Sequence, residues 1–98
     1  AKIWGINSDS LPQLVSNNEI AGEINAPELP ELTGIPLVGL IVDQPAALIA
    51  EKCFEAGDIK CTFGTGAFLL VNIGSTSKIS NSGLSNSIGW SEAGKISY

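Results

Sequence analysis

No histidine occurs among the 98 residues, and that gap removes a Ser-His-Asp triad and any imidazole metal site from this chain. Basic residues are scarce: five Lys+Arg stand against ten Asp+Glu, for a net charge of -5. Such a balance excludes a general nucleic-acid or anionic-membrane surface, so neither is expected as a partner. The acidity is spread thinly and forms no tail. There is no apolar run long enough to span a bilayer, no signal peptide and no Asn-x-Ser/Thr acceptor. Only two cysteines are present, Cys53 and Cys61. One falls in an expected helix and the other in an expected strand, so two reduced, buried thiols and a cytoplasmic protein are the expectation.

What remains is globular in composition, 44% hydrophobic and 15% charged. A chain this short buries only roughly 60–65% of its unfolded surface, which leaves it marginal as an independent body. Its start, Ala1-Lys2-Ile3-Trp4, reads like the middle of a longer chain.

Residues 1–34 are polar and irregular, and Pro12, Pro27 and Pro30 break any long helix. Leu11, Leu14 and Val15 could form one short helical turn. Leu37 to Val42 is a continuous, partly β-branched apolar run, which predicts a buried strand of the parallel kind. A helix follows. Asp43 is placed to cap it, Pro45 falls in its first turn, and Ala46, Ile49, Ala50 and Cys53 recur at one-face spacing. Gly57 is the expected stop. Ile59 to Phe63 and Ala67 to Ile73 then read as a hairpin closed by Gly64-Thr65-Gly66. Phe68, Leu70 and Asn72 would share one of its faces. Weaker strand signals cover Leu84 to Trp90 and Lys95 to Tyr98, and the composition shifts between Glu51 and Asp58. The expected class is α/β: a buried strand and helix followed by a β-meander.

Three places could carry chemistry. Asp43 stands between a strand and a helix, where α/β sheets bind ligands and a carboxylate can take a proton from a substrate hydroxyl; on this feature alone the plainer reading is a helix cap, which needs an Asp at the same spot. Gly64-Thr65-Gly66 could bring backbone N–H groups and a hydroxyl to a phosphate, or could simply be a hairpin turn. Phe68 could line a pocket or belong to a core. Lys52 and Lys60 read as solvated charges.

A longer pattern joins these places. Gly34-Ile35-Pro36 and the apolar run lead into Asp43-Gln44-Pro45-Ala46-Ala47-Leu48, then Cys53-Phe54, Gly57, Lys60, Thr62, Gly64-Thr65-Gly66, Phe68-Leu69-Leu70, Asn72 and Gly74. This closely resembles the central signature of the FGGY carbohydrate kinases, above all their glycerol kinase branch, with no gap over residues 34–74. Leu11-Pro12, Glu19-Ile20-Ala21-Gly22, Gly83-Leu84 and Ile88-Gly89-Trp90 extend the likeness to most of the chain.

The resemblance implies an actin-like ATPase (ribonuclease-H-like) fold with two domains around a cleft. It implies ATP as phosphoryl donor, Mg²⁺ bridging the phosphates, and a small-molecule polyol or sugar as acceptor. Carried over position by position, Asp43 matches the catalytic base and holds the substrate hydroxyl, and Gln44 matches a substrate contact. Phe68 matches an apolar wall beside the substrate, and Gly64 and Thr65, with Gly66 completing the turn, match a phosphate-binding motif. No residue is assigned to bind a metal directly. Val42 and Pro45 depart from the family's Gly and Gln, and Val42 adds bulk beside the substrate. The family's first phosphate loop, its adenosine motif and its other substrate-gripping residues have no counterpart here.

Residues 1–50 are thus expected to end the first kinase domain and residues 51–98 to begin the second. Such a piece is expected to be inactive alone and to self-associate through a strand edge or an apolar face. The rival reading is a non-catalytic α/β module that binds a ligand or a partner with the same turn and cap.

Overall fold

Helix α1 (Asp43–Ala50) is the one α-helix in the computed structural model, which describes residues 2–98. Its cap is Val42, not Asp43. Val42 is extended (φ -73°, ψ 151°), and its carbonyl accepts the first helical bond from the Ala46 N–H at 2.9 Å. Asp43 is therefore the first helical residue, and its Oδ1 accepts the Gln44 N–H at 2.7 Å. A donor that the helix would leave unpaired is satisfied from within the first turn, where the negative charge also suits the helix dipole.

The helix ends earlier than Gly57. Lys52 takes the left-handed conformation (φ 59°), its N–H donates to the Ile49 carbonyl at 3.0 Å, and the Cys53 N–H donates to the Leu48 carbonyl at 2.9 Å. These two bonds form a Schellman stop with lysine where glycine is usual. Leu48 and Cys53, the two residues that flank the motif, are the buried hydrophobic residues among those described. The expected face of Ala46, Ile49, Ala50 and Cys53 is thereby replaced. With the helix closed after Ala50, Cys53 returns beneath it from the turn, and Leu48 is the helical side chain that is buried.

The strands pair as three separate two-stranded antiparallel sheets, so no continuous meander forms. β1 (Gly22–Glu23) pairs with β2 (Pro36–Leu37). The expected buried parallel strand is thus confined to its first residue. Val38 to Val42 carry no strand, and Leu37, Val38, Leu40 and Val42 are exposed. No second strand among the described residues lies beside them, and an apolar run without a ladder partner gains neither hydrogen bonds nor cover. Nor do Leu11 to Val15 form a turn of helix; the short 3-10 turn lies just before them, at Ser8–Ser10, and Leu14 is exposed.

The strongest local expectation is met. β3 (Ile59–Phe63) and β4 (Ala67–Val71) pair in register from Ile59↔Val71 to Phe63↔Ala67, and residues 64–66 close the hairpin. Its two faces differ in an unexpected way. Ile59, Cys61 and Phe63 are exposed opposite Val71, Leu69 and Ala67, also exposed, whereas Lys60 is buried and Thr62 half-buried. Cys61 is accordingly a free, exposed thiol, not a buried one, while Cys53 is free and buried. The strand's alternation puts its polar residues toward α1.

β5 (Trp90–Glu92) and β6 (Lys95–Ser97) form the last hairpin. Its strands are shorter than the expected Leu84–Trp90 and Lys95–Tyr98, and it turns on Ala93 and Gly94, both at positive φ, as a primed two-residue turn requires. Individual bonds tie it to the rest. The Ile73 N–H donates to the Tyr98 carbonyl at 2.8 Å and the Tyr98 N–H to the Gly74 carbonyl at 2.9 Å. The rings of Phe54 and Trp90 meet edge to face at 6.4 Å.

The Cα radius of gyration is 16.9 Å, where a compact domain of this length has about 13 Å. The elements are held by hairpins and by single polar ties more than by a shared core.

Candidate functional site

The polar ties converge on the start of α1. Lys60, on the inner face of β3, is 6% exposed, and its Nζ donates to Gln44 Oε1 at 2.8 Å. The expectation that Lys60 is a solvated charge is therefore overturned. Its long stem crosses to the helix start, where its ammonium donates to the Gln44 amide. Asp43 precedes Gln44, is exposed, and shares a bond with its backbone. One carboxylate, one amide and one ammonium thus stand in a connected row at the helix N-terminus, where negative charge is favoured.

Next to this row lies a groove of about 610 Å³. Pro45 and Leu48 line it from α1, Phe68 and Leu70 from β4, and Leu84 and Tyr98 from the following segments. Phe68 is therefore a wall residue and not a core residue. Its ring also lies over the hairpin turn, since a Cβ on Gly66 would sit 3.4 Å from Phe68 Cε2. That is ordinary contact, and it leaves room for a side chain at position 66.

The turn itself, Gly64-Thr65-Gly66, is exposed at the far end of the hairpin. The Gly64 N–H donates to the Gly66 carbonyl at 2.9 Å and closes the loop. Among the described residues no protein group accepts from the N–H of Thr65 or Gly66, and the Thr65 hydroxyl is likewise unpaired. Two backbone donors and one hydroxyl at an exposed turn suit an anionic oxygen such as a phosphate. The structure joins Phe68 to the helix start through Pro45, across the groove they both line, and to the turn through Gly66.

Two further residues hold this arrangement: Asn72, which stands in the signature without an assigned role, and Asn17, which no motif marks. Asn72 is 1% exposed; its Nδ2 donates to the Cys53 carbonyl at 3.0 Å, and its Oδ1 accepts the Gly74 N–H at 2.8 Å. It ties the end of β4 to the turn that leaves α1. Asn17 accepts the Ser91 N–H at 2.6 Å through Oδ1 and donates through Nδ2 to the Leu40 carbonyl. It anchors the segment that runs into Asp43. Val42, extended at negative φ, needs no glycine-only conformation, and its side chain is exposed. Among the described residues no group of three or more His, Cys, Asp or Glu could hold a metal ion, and no helix is long and apolar enough to cross a membrane.

No family model matches the chain. Curated relatives do. The chain is 42% identical over 90 residues to a glycerol kinase of Bdellovibrio bacteriovorus, covering 91% of this chain and 18% of that protein. It is 46% identical over 81 residues to a glycerol kinase of Myxococcus xanthus, covering 82% of this chain and 16% of that protein. In structure it is similar to the Plasmodium falciparum glycerol kinase solved with ADP, with a TM-score of 0.87 and 36% identity over 94% of this chain and 19% of that one. The chain thus spans less than a fifth of the length of the relatives it matches.

Proposed function

We propose that this chain, similar in sequence and fold to a segment of glycerol kinases, is the central part of an ATP-dependent kinase that phosphorylates a hydroxyl of glycerol or a related polyol. The observation that carries the reading is the fit of nearly the whole chain onto a glycerol kinase backbone, TM-score 0.87 at 36% identity. The thin core supports it: a radius of gyration of 16.9 Å and two buried hydrophobic residues among those described suit a piece of a larger body. We assign the whole protein an actin-like, two-domain fold. Residues 1–50 close the first domain and residues 51–98 open the second, with the turn after α1 between them.

In this reading the Asp43 carboxylate accepts the proton of the substrate hydroxyl as its oxygen attacks the γ-phosphorus of ATP. The new O–P bond forms in line with the bond that breaks, and the electron pair of that bond leaves on ADP. Gln44 contacts the same substrate, and Phe68 walls its carbon chain. The free donors of Thr65 and Gly66, on the turn closed by Gly64, hold phosphate oxygens. Mg²⁺ would arrive with the nucleotide and neutralise the phosphate charge. The free thiols suit a cytoplasmic enzyme, and the acidic balance suits a small-molecule substrate rather than nucleic acid or membrane.

The test is a screen of the full-length protein with ATP against a panel of polyols and sugars. Glycerol, or a close polyol, should be phosphorylated best. ATP hydrolysis with no phosphorylated acceptor, or a strict preference for an aldose or ketose, would overturn the glycerol-type assignment.

A further inference from the structure

Lys60 is buried at 6% exposure, yet among the described residues its one hydrogen bond is to the neutral Gln44 side chain. Burying an ammonium is costly unless it is well satisfied, so its position calls for a reason. We propose that Lys60 is a positioning residue that holds Gln44 Oε1 toward itself and so turns the Nε2 donors outward, which makes the Asp43–Gln44 pair favour a hydroxyl. The inference rests on the reading of Gln44 as a substrate contact.

An amide can turn either its oxygen or its nitrogen toward a neighbour. A lysine ammonium carries three N–H donors and no acceptor, so only Oε1 can face it. The reversed amide would set donor against donor in a part-buried place and lose the bond. With Oε1 turned to Lys60, the two Nε2 donors are what Gln44 turns the other way. None of the hydrogen bonds among the described residues uses Nε2, and no buried side-chain nitrogen or oxygen there lacks a partner. Nε2 therefore reaches the surface, on the residue next to Asp43.

The Asp43 carboxylate accepts, and the Nε2 that the fixed Gln44 amide turns outward donates. A hydroxyl matches both, giving its proton to Asp43 and accepting from Nε2. An ammonium cannot accept from Nε2, and a carbonyl cannot donate to Asp43. The pair thus selects an alcohol by chemistry that neither residue supplies alone.

A double-mutant cycle on the full-length kinase tests this, with KM for polyol and for ATP, and kcat, measured for Lys60→Met, Gln44→Ala and the combination. Lys60→Met should raise the polyol KM about tenfold, the order expected for losing a charge-assisted hydrogen bond. It should leave the ATP KM unchanged and add nothing once Gln44 is alanine. Lys60→Arg, still donor-only, should retain most of the polyol affinity. An equal rise from Lys60→Met in both backgrounds means general structural support and overturns the proposal. If Gln44→Ala weakens the polyol and Lys60→Met does not, the positioning role alone falls. If Gln44→Ala leaves the polyol KM unchanged, the substrate-contact reading falls, and this inference with it. Should Lys60→Met fail to fold, Lys60→Leu takes its place in the same cycle with the same outcomes.

Discussion

Asn72 and Cys53, nineteen residues apart, are joined by a 3.0 Å bond from a fully buried side-chain amide to a main-chain carbonyl. The carbonyl belongs to the turn that stops α1, and the amide belongs to the end of β4. The backbone adds two further bonds at the same place, from the Gly57 N–H to the Asn72 carbonyl at 2.7 Å and from the Asn72 N–H to the Asp58 carbonyl at 2.9 Å. Helix and hairpin are therefore tied by polar bonds, here and where Lys60 reaches Gln44. Replacing Asn72 with leucine leaves the Cys53 carbonyl and the Gly74 N–H without their partners in a buried place, at about 1–3 kcal/mol each. Thermal unfolding of the full-length protein should show a Tm several degrees lower for Asn72→Leu, and an unchanged Tm would mean that water replaces both bonds.

Lys52 occupies a left-handed position that costs a non-glycine residue roughly 1–2 kcal/mol. Its side chain is exposed, and its backbone already makes the Schellman bond. Lys52→Gly should therefore stabilise the protein by about 1 kcal/mol, net of the extra freedom glycine has when unfolded. Denaturant titration checks the sign; destabilisation would mean that the lysine side chain makes a contact worth more than the strain.

Asp43 is exposed, and its one bond, from the Gln44 N–H, is open to an asparagine oxygen as well. Asp43→Asn should thus fold normally while losing the base. Steady-state kinetics of the full-length kinase should show kcat lower by roughly 10²–10⁴. Near-wild-type turnover would leave Asp43 with a purely local role at the helix start.

Thr65 sits on the exposed turn with an unpaired hydroxyl, away from the groove that Phe68 lines. Thr65→Val keeps the shape and removes the donor. Calorimetry should find nucleotide binding weakened, or kinetics a lower kcat, with polyol binding little changed. The opposite pattern, polyol weakened and nucleotide intact, would remove the phosphate assignment.

The outer face of the β3–β4 hairpin exposes Ile59, Phe63, Leu69 and Val71, with Phe63 at 81%. A contiguous apolar face of this kind is normally covered. The isolated 98-residue chain should therefore self-associate in light scattering and show no ATP-dependent phosphorylation of glycerol, and Leu69→Lys should reduce the association. A clean monomer with kinase turnover in the same sample would refute both expectations.

The sequence by itself determined the features that neighbouring residues decide. The proline in the first turn and the apolar spacing put a helix after Asp43, although they run it on to Gly57 where the structure stops it at Ala50, and the runs around Gly64-Thr65-Gly66 put a hairpin at 59–73, of which 59–71 pairs. The unbroken spacing from Gly34 to Gly74 carried the resemblance to a kinase signature. What depended on distant partners was not legible. Leu37 to Val42 has every local mark of a buried strand, but a strand needs a ladder, and among the described residues only β1 offers two residues of one. Lys60 looks like any surface lysine until Gln44, sixteen residues earlier, is seen to receive it. Asn17 matters only because Ser91, 74 residues later, folds back to it. Periodicity and turn chemistry act over a few bonds and can be read along the chain, whereas burial and hydrogen-bond pairing are properties of the assembled surfaces, and only the tertiary structure fixes those.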